Sequence, residues 1–213
     1  MPADSPEDVQ VSIDPLNPEV PVIAILRAPT ADRFPEVTRV LHECGITAVE
    51  FTLNSAGALD AIRECAGFAH SVGAGTVLTA KDAELAVEAG AAYLITPAVI
   101  DEVIAEGRRL GVPVISGALT PTEIHRAWTL GSSMVKVFPA AIGGPEYIKA
   151  VRAPLPDIPL VPTGGVGLGE ARAYLDAGAK ALGMGSPLVG DACVGGDLEA
   201  LRERALLVRD QLS

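Results

Sequence analysis

Residues 112–140 read VPVISGALTPTEIHRAWTLGSSMVKVFPA, and this stretch decides the fold. An apolar run, VPVISGAL (112–119), is followed by an amphipathic segment that stops at Gly131, and then by a second apolar run, MVKVFPA (134–140). Near-continuous apolar runs separated by helical segments are the pattern of parallel strands covered on both faces. The unit recurs along the chain. Apolar runs stand at PVIAILR (21–27), AVEFTL (48–53), SVGAGTV (71–77), AYLITPA (92–98), PLVPTGG (159–165) and ALGMGSPL (181–188), eight in all with the two above. Helical patterns lie between them, as at 30–45, 79–90 and 167–178, with Thr30 and Thr79 as candidate N-caps and Gly45, Gly90, Gly111, Gly131 and Gly178 as stops. Eight βα units at a spacing of roughly 22 residues predict a single-domain α/β chain closed into a (β/α)₈ TIM barrel. An open doubly wound sheet would carry a Gly-rich fingerprint after its first strand, and the segment after Arg27 has none.

The barrel is expected over residues 21–213. Residues 1–20 differ in character: they hold four Pro, five acidic residues and no Lys or Arg, and read as a mobile arm or one short helix. The chain carries 16 Lys+Arg against 27 Asp+Glu, a net charge of −11, of which the arm takes five. Without a basic stripe, binding to a nucleic-acid backbone or an anionic membrane surface is disfavoured. No apolar run approaches the length of a membrane span and no secretory signal is visible. Three Cys, at 44, 65 and 193, form neither a zinc spacing nor a closed disulfide set, which suits a reducing cytoplasm. The three His show no metal-ligand spacing, so no metal is expected.

In a barrel the chemistry sits at the C-terminal ends of the strands. Among the four lysines only Lys136 is flanked on both sides by strand. Alternation puts Lys136 with Met134 and Phe138 on the face opposite Val135 and Val137, hence inside. A buried ammonium is driven toward the neutral amine, the form that condenses with a carbonyl. An ion-paired or snorkelling strand-end lysine is the plain alternative. In VEFTLN (49–54), Glu50, Thr52 and Asn54 share one face. Glu50 inside the barrel reads as a proton carrier, or as the ionic partner of Arg27 or Lys136. Arg27 ends the first strand, placed to clamp a carboxylate or phosphate. Two Gly-rich turns, Thr163-Gly164-Gly165 opening a helix and Gly183-Met184-Gly185-Ser186, follow the last two strands. Backbone N–H groups there suit a substrate phosphate.

The ordered set VIAILR (22–27), VEFTLN (49–54), GAGTV (73–77), Thr96-Pro97, KVFP (136–139) and PTGG (162–165) resembles the 2-keto-3-deoxy-6-phosphogluconate (KDPG) and 4-hydroxy-2-oxoglutarate (KHG) aldolase family over residues 20 to 190. The resemblance implies a metal-free, cofactor-free class I aldolase, usually a homotrimer. It would cleave the phosphorylated keto acid reversibly to pyruvate and glyceraldehyde 3-phosphate. It implies Lys136 as the Schiff-base lysine and Glu50 as the proton-transfer residue. Arg27, Thr76, Pro97 and Phe138 would line the pyruvyl portion, and Gly164, Gly165, Gly185 and Ser186 would cradle the phosphate. Asn54 and Thr163 complete the substrate-binding set and point to different branches. Asn54, and the stretch GPEYIKA (144–150), look like the 2-dehydro-3-deoxy-6-phosphogalactonate enzymes, whereas Thr163 looks gluconate-like. Two more distant readings stay open: a phosphosugar epimerase or isomerase using Lys136 electrostatically, and an inactive barrel that senses a phosphorylated ligand.

Overall fold

A computed structural model describes residues 18–69 and 71–212. The proposed acidic arm therefore lies almost wholly outside the described residues, as does His70. Eight parallel strands follow in chain order: β1 (Val22–Leu26), β2 (Ala48–Thr52), β3 (Val72–Gly75), β4 (Tyr93–Ile95), β5 (Val114–Ala118), β6 (Met134–Val137), β7 (Leu160–Pro162) and β8 (Leu182–Met184). Each pairs with its sequence neighbour from β1 to β7, and β8 pairs with β1. The seam between β7 and β8 is closed by a parallel bridge between Thr163 and Gly183, and by the Lys180 N–H donating to the Leu160 carbonyl at 2.8 Å. The sheet is a barrel, and each run predicted from the sequence contains one of its strands.

Helices α1 (Phe34–Glu43), α2 (Ala58–Cys65), α3 (Ala80–Glu88), α4 (Asp101–Leu110), α5 (Pro121–Leu130), α6 (Gly144–Arg152) and α7 (Ala171–Asp176) lie in the connections between strands. Local chemistry sets several ends. At α3 the Thr79 hydroxyl accepts from the Asp82 N–H while the Asp82 carboxylate accepts from the Thr79 N–H, and Thr120 with Glu123 repeats the device at α5. Gly111 and Gly131 end α4 and α5 with φ of +74° and +103°, angles that a side chain makes costly. Thr30 is not the cap of α1. Its hydroxyl donates to Asp32, and the helix begins four residues later, where Pro35 presets the first turn. After β8 come a short helix, α8 (Ser186–Val189), and a long one, α9 (Leu198–Leu212), which buries Leu201, Ala205, Val208 and Leu212.

Strand alternation separates two layers of core. Ala24, Val49, Phe51, Ala74, Leu94, Val135, Val137 and Leu160 face outward into the helix layer, where Phe51 meets Phe34 edge-on with ring centres 5.0 Å apart. Ile23, Ala48, Tyr93, Ile95, Ile115, Met134 and Val161 pack inside the barrel. Met134 inside and Val135 and Val137 outside is the assignment that sends Lys136 inward, as expected.

Candidate active site

The barrel's inner layer is apolar below and turns polar toward the C-terminal strand ends. Glu50 on β2 is 1% exposed and Lys136 on β6 is 7% exposed. Their charged ends approach across the interior, Lys136 Nζ to Glu50 Oε2, at 3.7 Å. Of the two partners open to Glu50 from the sequence, the structure selects Lys136 rather than Arg27. Glu50 Oε1 is buried with no hydrogen-bond partner. A buried ionic group left half-satisfied costs stability and is characteristic of a site shaped for chemistry. Tyr93 sits fully buried in the same layer, donating from its hydroxyl to the Val49 carbonyl at 2.8 Å. Burial, reinforced by the Glu50 charge, pushes its phenol well above the usual range.

Above the pair opens a pocket of about 330 Å³. Lys136 lines it, with Arg27 from the end of β1, Thr76 after β3, Pro97 after β4, and Phe138 after β6. Thr163, Gly164 and Gly165 after β7, and Gly185 and Ser186 after β8, line it too. Ten of the twelve sequence-predicted residues thus share one cavity. Glu50 stands behind it against Lys136, and Asn54 is not in its lining. Strand β2 ends at Thr52, so Leu53 and Asn54 belong to a turn, where alternation no longer governs direction, and Asn54 is exposed. Ile25, Val166, Gly183, Pro187, Val189 and Gly190 complete the wall. Alternation with Arg27 and Ile23 signals Ile25, and Gly183 belongs to the Gly-rich turn read from the sequence; Val166, Pro187, Val189 and Gly190 carry no such signal.

Several walls are held rigidly. Arg27 donates to the Thr76 hydroxyl at 3.4 Å. Thr76 has φ of +57°, the one left-handed non-Gly residue among those described, a strained conformation that clusters at functional sites. The residues flanking Arg27 are pinned by buried hydroxyls: the Ala28 N–H donates to Ser55 Oγ, and Thr52 Oγ1 donates to the Leu26 carbonyl. Gly164 and Gly165 both take left-handed φ, +85° and +82°, where they line the pocket. They do not open a helix directly, as the sequence suggested; a short 3₁₀ turn at 168–170 precedes α7. A Cβ at Gly185 would meet only ordinary contacts with Ile25, so its backbone is bare toward a ligand. Phe138 covers the lysine, with Nζ 5.5 Å from its ring centre.

The lining holds Arg27 and Lys136 and no Asp or Glu. In a chain of net charge −11 this is a local cationic cavity suited to an anion. No cluster of three or more His, Cys, Asp or Glu that could hold a metal occurs among the described residues, and none of their helices is long and apolar enough to cross a membrane.

Comparison with known proteins gives the same picture. A probable 2-dehydro-3-deoxy-6-phosphogalactonate aldolase of Rhizobium meliloti (strain 1021) is 36% identical over 90% of this chain and 92% of its own length. A 2-dehydro-3-deoxy-phosphogluconate aldolase of Pseudomonas aeruginosa is 39% identical over 73% of this chain and 71% of its own. Among solved structures, a KDPG aldolase from Legionella pneumophila, with pyruvate captured at low pH as a covalent carbinolamine intermediate, superposes with a TM-score of 0.79. It is 26% identical, covering 91% of this chain and 96% of that one. The family model "KDPG and KHG aldolase" matches residues 13–203, and the chain belongs to this family of lyases.

Proposed function

We propose that the protein cleaves a phosphorylated 2-keto-3-deoxy sugar acid, 2-keto-3-deoxy-6-phosphogluconate first, reversibly to pyruvate and glyceraldehyde 3-phosphate through an imine on Lys136. The observation that carries the reading is the pocket-facing Lys136 amine 3.7 Å from the buried Glu50 carboxylate. Lys136 Nζ adds to the C2 ketone, giving a carbinolamine that loses water to the iminium. Glu50, directly or through a water, takes the C4 hydroxyl proton. The C3–C4 bond breaks, its electron pair passes to the iminium nitrogen, and glyceraldehyde 3-phosphate leaves. Glu50 returns the proton to C3 of the enamine, and hydrolysis releases pyruvate and the free amine. The iminium is itself the electron sink, so the scheme calls on no cofactor.

Arg27, with Thr76 beside it, takes the substrate carboxylate, and Pro97 and Phe138 shape the pyruvyl site. Gly164, Gly165, Gly185 and Ser186 hold the phosphate through backbone N–H groups. Thr163 faces the sugar carbons. The family resemblance extends the reading to 4-hydroxy-2-oxoglutarate, to a homotrimer and to a cytoplasmic setting. The galactonate epimer is the second reading, favoured by Asn54 in the VEFTLN motif. A coupled lactate dehydrogenase assay for pyruvate with both phosphorylated C4 epimers and with 4-hydroxy-2-oxoglutarate tests the proposal. It predicts turnover of at least one phosphorylated epimer that Lys136→Ala abolishes; turnover that survives Lys136→Ala overturns it.

A further inference from the structure

Gly75 closes β3, paired in register with Thr52 and donating nothing to the pocket lining. Its φ is not left-handed, so the backbone there accepts any residue and gives no conformational reason for glycine. Space gives the reason. A Cβ built on Gly75 would land on the Glu50 carboxyl group, with Oε1, Cδ and Cγ all far inside the 3.0 Å that real Cβ contacts respect. Oε1, the atom pressed most closely toward that missing Cβ, is also the oxygen without a hydrogen-bond partner, while Oε2 faces Lys136. Glu50 therefore has no polar anchor on this side. One oxygen lies against a bare Cα and the other against the lysine.

We infer that Gly75 is a positioning residue of the reaction: the absence of its side chain is what lets the Glu50 carboxyl group lie at the distance from Lys136 that proton transfer needs. The inference rests on the aldolase reading for its catalytic consequence but not for its steric content. Two other glycines, one on β3 itself and one on β8, repeat the device with less consequence. Gly73 leaves room for the Tyr93 ring and Gly183 for the Thr163 side chain. At Gly75 alone the displaced group is the proton carrier, and misplacement of a reacting group by about 1 Å costs on the order of 10²-fold in rate.

The test is a cycle of four full-length proteins: unmodified, Gly75→Ala, Glu50→Ala, and the two together. Ala at 50 removes Cγ, Cδ and both oxygens, including the atoms that a Cβ at Gly75 would meet. Two readouts are taken: urea denaturation, and exchange of the pyruvate methyl protons with D2O followed by NMR. Exchange needs the imine and the proton carrier but no sugar. Gly75→Ala is expected to lower exchange on the order of 10²-fold and to destabilise the unmodified background. In the Glu50→Ala background the loss of stability is expected to shrink toward zero, while exchange is lost with or without the Gly75 substitution because the proton carrier is gone. If Gly75→Ala fails to fold and the double variant folds, the inference stands. Equal losses of stability in both backgrounds, failure of both to fold, or exchange within about twofold of the unmodified enzyme in Gly75→Ala overturns it. Failure of the aldolase reading shows separately, as no exchange in the unmodified protein, and leaves the denaturation cycle to decide the steric claim.

Discussion

Replacing Lys136 with Met removes one charge of a buried pair and keeps the volume of the stem. At 3.7 Å and an effective dielectric of about 20, the attraction between Lys136 and Glu50 is about 4.5 kcal/mol. Burying the two ions costs several kcal/mol each, so the pair as a whole is near neutral for stability. Breaking it is different, because Glu50 is 1% exposed and its Oε1 already lacks a partner. An uncompensated buried charge costs about 3–5 kcal/mol. For a chain of this size that is a fall in Tm of roughly 6–20 °C, at about 2–4 °C per kcal/mol. Adding Glu50→Gln to Lys136→Met removes the stranded charge and is expected to recover most of the loss. Urea denaturation followed by circular dichroism measures all four members of the cycle, with equal m-values as the condition for comparing them. A Lys136→Met protein as stable as the unmodified one, or a double variant no better than the single, would refute the claim that the two groups are an isolated buried pair.

Glu50→Gln keeps the shape of the carboxyl group and loses its proton-carrying form. Steady-state assay of cleavage is expected to show kcat lowered on the order of 10²–10⁴-fold while pyruvate with borohydride still labels Lys136. Thr163 lines the pocket and its hydroxyl donates to the Val161 carbonyl at 3.2 Å. Thr163→Val, equal in shape, is expected to shift the ratio of kcat/KM for the two C4 epimers toward the galactonate by about tenfold, the worth of roughly one hydrogen bond. Burial pushes the Cys65 and Cys193 thiols up to about 11. With the folded value above the unfolded one, their contribution to stability is complete below about pH 9 and is lost as pH rises toward 11. Denaturation midpoints should fall over that window, and at pH 8 a disulfide-exchange reagent should reach both thiols only on unfolding.

The barrel was legible because its strands are short, apolar and bounded by glycine stops, so that period and spacing agree. Lys136 and Glu50 were legible because each is a charge in a strand whose neighbours alternate. Alternation gives direction only while the strand lasts. It placed Arg27, the residue immediately after β1, and misdirected Asn54, two residues past Thr52. The turn Thr163-Gly164-Gly165 has the sequence of a helix start. Two consecutive left-handed glycines instead begin a loop, and nothing local in sequence distinguishes the two. Thr30 offered cap chemistry, but Pro35 set where α1 begins. The choice of Lys136 over Arg27 as partner of Glu50 needed the register across five strands, which no single segment encodes.

The central claim is that Lys136, and no other amine, forms the covalent intermediate. Incubating the protein with pyruvate and sodium borohydride, then mapping peptides by mass spectrometry, tests it directly. The account predicts one reduced pyruvyl adduct per chain, on Lys136. An adduct on Lys81, Lys149 or Lys180 instead, or no adduct at saturating pyruvate, would contradict it.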